Sequence, residues 1–94
     1  FDVAFIGANG VSAPFGASTP NPEEARTKAL MIRSAARGYL LVDHSKLGRD
    51  SACRMFPLEE LTGLVTDWGA DDEEVRALSR VVKVLRAGED GRWL

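Results

Sequence analysis

Tyr39-Leu40-Leu41-Val42 constrains this chain more than any other stretch. The four apolar residues lack the in/out alternation of a half-exposed strand, so the expectation is a strand covered on both faces, as in a parallel sheet. The run breaks into Asp43-His44-Ser45-Lys46-Leu47-Gly48, a polar turn. Upstream, Asp2-Val3-Ala4-Phe5-Ile6 is a second apolar run, bounded by glycine, and reads as another buried strand. A helix separates them. Asn21 fits its N-cap, Pro22 its first position and Glu24 the reciprocal capping position. Ala25, Leu30, Ile32, Ala35 and Ala36 supply an apolar side, and Gly38 follows Arg33 and Arg37 as the expected C′ residue. The spacing predicts a helix over residues 22–37. Strand, helix and strand make a βαβ unit with a right-handed crossover. The fold class is therefore α/β, a mostly parallel sheet with flanking helices.

Val11 to Pro20 mixes Gly, Ser, Pro and Thr without periodicity and reads as a long loop. Ala52 to Phe56 reads as a short strand, Pro57 to Leu61 as a helical turn, and Leu64-Val65-Thr66-Asp67 as a buried strand. Asp71 caps a helix of about two turns, with Glu74 at its third position and Val75 and Leu78 as its buried side. Val81 to Leu85 fits either a strand or a continued helix, and its β-branched residues favour the strand. Residues 88–94 read as a frayed end on which Trp93 docks.

Ninety-four residues, 45% apolar and 28% charged, allow one soluble domain or a piece of one. The chain opens at Phe1 within an apolar run, and a fragment of a longer protein is expected. The net charge is −2 and the arginines are scattered among acids, which excludes a nucleic-acid footprint within these residues. Cys53 is the only cysteine, so an internal disulfide is excluded and a reducing, cytoplasmic setting is expected. Lone cysteines are most often small buried hydrophobes. His44 is the only histidine, and a zinc site lacks its parts. No membrane span, signal peptide, P-loop or serine triad is visible, so neither cofactor nor catalytic set is expected.

The candidate site lies at strand ends, where open α/β sheets bind ligands. Lys46 beside Ser45 offers a cationic anchor for an anionic metabolite, and the same turn serves equally well as a structural device held by Asp43 or Ser45. Gly7-Ala8-Asn9-Gly10 follows the first strand. Such Asn-Gly turns are more often plain turns than sites, and the dinucleotide spacing is absent. Thr19 stands before the helix start, where backbone N–H groups attract anions but Glu23 and Glu24 repel them. Lys28, taken alone, is a solvated charge paired with Glu24. Asp67 ends a neighbouring strand, to cap the next segment or to face the same crevice.

The ordered motifs Asp2-x-x-Phe5-Ile6-Gly7-x-x-Gly10, Thr19-x-Asn21-x-Glu23-Glu24-Ala25-x-x-Lys28-x-x-Met31-Ile32, Leu41-x-Asp43-x-Ser45-Lys46-x-Gly48 and Thr66-Asp67 resemble the effector-binding domain of DeoR-family transcriptional repressors. The resemblance runs from Asp2 to about Val84. It implies a sugar-phosphate-sensing domain with a fold like ribose-5-phosphate isomerase, joined to an N-terminal winged helix-turn-helix. Residues 1–94 are then a partial effector-binding domain, its C-terminal part, without the DNA-binding module and the first half of the sensor. The isomerases carry acids where Asn9 and Thr27 stand here, so the resemblance implies recognition without turnover. It raises Lys28 to a candidate contact beside Asn9, Gly10, Thr19, Ser45 and Lys46. It also implies a phosphorylated sugar as partner, DNA contact only through the absent module, and a homo-oligomer. The alternatives are a sugar-phosphate isomerase or acyl/CoA transferase of the same fold, or an assembly domain with a dead pocket.

Overall fold

Apolar strands in this chain find parallel partners, and the sheet they make sets every other element in place. The computed structural model describes residues 2–88. Among them, β1 (Val3–Ile6), β4 (Arg37–Leu41), β6 (Gly63–Thr66) and β7 (Val84–Arg86) form a four-stranded sheet in the order β1-β4-β6-β7, every pair parallel. β2 (Gly10–Ser12), β3 (Gly16–Thr19) and β5 (Cys53–Phe56) form a three-stranded antiparallel sheet in the order β2-β3-β5. Helices α1 (Pro22–Ser34) and α2 (Asp72–Ser79) complete the α/β architecture, with 3-10 turns at His44–Lys46 and Leu58–Glu60.

Helix α1 starts as its sequence directs. The Asn21 side chain accepts from the Glu23 and Glu24 backbone N–H groups at 2.8 and 3.2 Å, satisfying two otherwise orphan donors. Its end differs from expectation. The helix stops at Ser34, and Ala35 is already extended with ψ 147°. The Arg37 N–H donates to Asp2 O at 3.1 Å, so the parallel ladder captures the residues expected in the last turn. Gly38 is thus a strand residue, not a helix cap. A Cβ there would lie 2.7 Å from Ile32 Cδ1, so glycine lets α1 lie close on the sheet. Leu30 is 59% exposed, and the buried side is Ala25, Ala29 and Ile32.

The segment expected as a loop over residues 11–20 is mostly a hairpin. Its strands are rich in small residues and carry no apolar period. Pairing and polar bonds hold them instead: Ser18 Oγ accepts from the Ser51 N–H at 2.8 Å, and Ser12 Oγ donates to Asp50 at 2.5 Å. Gly16 turns the hairpin with φ +91°. The expected strand at Cys53–Phe56, the turn at Leu58–Glu60 and the Asp71-capped helix are present. Cys53 is partly buried and packs against the core. At the tail the strand wins over the helix, but only Val84–Arg86 forms it, while Val81 and Val82 turn into it. The expected docking of Trp93 falls outside the described residues.

Among the described residues, only one face of the parallel sheet is covered, where cover on both was expected. Ala4, Ile6, Gly38, Leu40, Leu64 and Thr66 face a core shared with α1 and α2, where Leu40, Leu64, Leu78 and Phe56 are buried to 1% exposure or less. Each such side chain contributes about 1.5–3 kcal/mol. Phe5, Leu41, Val65 and Leu85 face the other way, around a stacked Phe5–Tyr39 pair with centroids 5.5 Å apart. Phe5 is 60% and Leu41 45% exposed.

Candidate functional site

The register aligns Ile6 with Leu40, so β1 and β4 release their chains at the same end of the sheet. Beyond β1, the backbone passes Gly7 and Asn9 before entering β2. Beyond β4, Asp43 opens the 3-10 turn that carries His44, Ser45 and Lys46. Adjacent strands lie about 4.8 Å apart, so the two sets of residues rise side by side.

Near the end of β1, Thr19 and Asn9 are bonded to each other and Lys28 reaches the same segment at Gly7. Lys28 reaches from α1 to donate to Gly7 O at 2.8 Å and pairs with Glu24 at 2.7 Å. An ammonium has three N–H donors, so one stays available to an outside acceptor. Thr19 is fully buried, and its hydroxyl donates to the Asn9 side-chain oxygen at 3.1 Å. Thr19 therefore orients Asn9, and the exposed Asn9 amide NH2 is the group left to meet a ligand. Gly10 is buried against the Arg49 backbone, where a Cβ would fall 2.5 Å from the carbonyl oxygen. That packing accounts for the glycine by itself.

Ser45 and Lys46 sit on the second set. Asp43 caps the turn by accepting from the Ser45 N–H at 2.9 Å and from its hydroxyl, and both bonds hold the Asp43 carboxyl below the usual carboxylate range. The Lys46 N–H donates to Asp43 O at 3.1 Å, and its side chain is half-buried. The Gly48 N–H donates to Val11 O at 2.8 Å, tying the turn to β2. A shallow groove beside it is lined by Leu41, Val42, Asp43, Val65, Thr66 and Asp67; Lys46 is not part of that lining.

The sequence leaves open whether Asp67 caps the next segment or faces the crevice, and His44 is an exposed residue of the turn. In the structure the Asp67 carboxylate meets His44 at two points, the backbone N–H and the ring Nδ1. One oxygen accepts from the His44 backbone N–H at 2.8 Å, and the other pairs with the ring Nδ1 at 2.8 Å. That bond, reinforced by the carboxylate's charge, raises the His44 pKa above its ordinary value; the same bond lowers that of Asp67. Behind the ring, a Cβ at Gly69 would lie 2.7 Å from Nδ1. The spacing of Asp67 from His44 offered no local signal, because only the β4–β6 pairing brings them together. Among the described residues, no group of three or more His, Cys, Asp or Glu is arranged to hold a metal, and no helix is long and apolar enough to cross a membrane.

The described residues thus form an α/β domain with a parallel sheet, a lysine on the turn after β4 and a helix lysine reaching the segment after β1. The family model of the DeoR C terminal sensor domain matches residues 1–68. The chain belongs to the DeoR family of transcriptional regulators, through the C-terminal sensor domain that this match identifies. It is 44% identical over 71 residues to the HTH-type transcriptional regulator GlpR of Haloferax volcanii, covering 76% of the chain and 28% of that protein. It is 35% identical over 86 residues to the HTH-type transcriptional regulator FruR of Bacillus subtilis, covering 88% of the chain and 34% of that protein. Against a lactose phosphotransferase system repressor of Streptococcus mutans it is 32% identical over 85 residues, covering 90% and 33%. The chain thus spans about a third of the length of the curated relatives it matches.

Proposed function

We propose that this domain senses a phosphorylated sugar without turning it over, and passes the binding energy to a DNA-binding module elsewhere in the polypeptide. The observation that carries the reading is the placement of two lysines at adjacent strand ends: Lys28 of α1, whose ammonium is held at Gly7 O just past β1, and Lys46, on the capped turn after β4. Lys28 and Lys46 meet the anion, while the Asn9 amide and the Ser45 hydroxyl orient sugar hydroxyls. Thr19 and Gly10 support that arrangement from the buried side. The names of the matched relatives, a lactose phosphotransferase system repressor among them, fit such an effector.

The finer assignment of the fold is to the phosphosugar isomerases. In this reading residues 1–94 are the C-terminal part of the sensor. The rest of the sensor and a helix-turn-helix lie in the part of the relatives' length not matched here, and the whole works as a cytoplasmic homo-oligomer. Effector binding shifts the population between two arrangements of the DNA-binding modules. The isomerase alternative has one observation in its favour, the Glu24 carboxylate 2.7 Å from Lys28. To act as a base, Glu24 would have to leave that ammonium. Asn9 and Thr27, at the other two places of interest, cannot take up a proton in water's pH range.

Calorimetric titration of the intact protein with triose, pentose and hexose phosphates tests the reading. A charged hydrogen bond contributes about 1.5–3 kcal/mol, so Lys46→Ala is expected to weaken the effector that binds by roughly tenfold or more at an unchanged melting temperature. An unchanged affinity removes Lys46 from the site.

A further inference from the structure

The bond pattern at Asp67 is unusual for a residue that merely ends a strand. One carboxylate takes the backbone N–H and the ring nitrogen of the same residue, His44, which opens the turn carrying Ser45 and Lys46. The charged and titratable groups around it are Asp43 and Lys46 on the turn itself, and Glu74 of α2, whose carboxyl lies 2.9 Å from a Cβ position at Gly48. The turn is tied on its other side to β2 through Gly48 and Val11. The turn is thus held by β2 on one flank and by Asp67 on the other.

We propose that Asp67 is a positioning residue of the effector site: by clamping the His44 backbone N–H and ring Nδ1, it fixes the orientation in which the turn presents Ser45 and Lys46 to the anion. This rests on the sensor reading above. Asp67 makes no contact with effector; it acts through His44. The backbone bond carries the larger part, because it directly sets the Asp43–His44 peptide plane from which the turn carrying Ser45 and Lys46 starts, while the ring bond holds the carboxylate in place.

The test uses the intact protein and the sugar phosphate found in the titration, with inorganic phosphate as the minimal anion. Coupling through a non-contacting residue is worth about 0.5–2 kcal/mol. Asp67→Ala is expected to raise Kd about fivefold, and Asp67→Asn, whose amide oxygen still accepts the His44 N–H, to recover affinity to within about twofold. Asp72→Ala, which breaks the remote pair with Arg86, is the stability control and should lower the melting temperature without moving Kd. Should Asp67→Ala fold poorly, Asp67→Ser, too short to make both bonds, replaces it with the same expected loss. Wild-type Kd in Asp67→Ala, or no recovery in Asp67→Asn, overturns the proposal. If Lys46→Ala weakens binding while Asp67→Ala does not, only the positioning role falls. If neither changes it, the site itself falls.

Discussion

The His44–Asp67 pair gives single residues a measurable pH signature. His44 has a raised folded-state pKa, so its contribution is fully present below the ordinary value of 6.5 and is lost as pH rises through the folded value. Asp67 has a lowered one, so its contribution is present above 3.8 and is lost as pH falls through its folded value. The stability lost on His44→Gln, measured by thermal melts, is therefore expected to be largest between these limits and to shrink as pH rises through the raised His44 value. A pH-independent loss would contradict the ion pair. Residues acting locally were legible in the sequence: Asn21 announces its cap through neighbours two and three positions on, and Asp43 through Ser45. Lys28 was not legible unaided, because its acceptor at Gly7 lies 21 positions away. Only the resemblance raised it from surface charge to candidate contact.

Elements were legible where apolar period or capping chemistry was strong, and illegible where pairing between distant segments decided. Strands β1, β4, β5 and β6 and both helix starts follow from the residues themselves. The β2–β3 hairpin does not, since small and polar residues enter it through bonds to residues 50 and 51. The end of α1 was misplaced for a related reason: Gly38 looks like a stop signal locally, yet its missing side chain serves the packing of Ile32. Two substitutions check this. Asn21→Ala should cost about 1 kcal/mol in chemical denaturation. Gly38→Ala should cost about 1–3 kcal/mol through overpacking, offset in part by the stiffer unfolded chain. A stabilised Gly38→Ala protein would contradict the close packing of α1 on β4.

At the scale of the whole molecule, the strand order explains the bare sheet face. The order β1-β4-β6-β7 rises monotonically, and crossovers of one hand then place every connection on the same side. Phe5, Tyr39, Leu41, Val65 and Leu85 are left on the other. The sequence hinted at cover there through its unalternated run, but chain order alone cannot say which segment supplies it. The isolated 94-residue chain is expected to bind a hydrophobic dye, and Phe5→Lys with Leu41→Lys to reduce that binding strongly, because both side chains are exposed. Undiminished dye fluorescence would place the apolar surface elsewhere.

Recognition without reaction is most directly read by phosphorus NMR of a sugar phosphate incubated with the intact protein. The expected spectrum shows saturable broadening or shift of the substrate's own resonance, absent in Lys46→Ala, and no new resonance after prolonged incubation. A growing product signal, or a resonance that the wild-type protein leaves untouched across the panel of sugar phosphates, contradicts it.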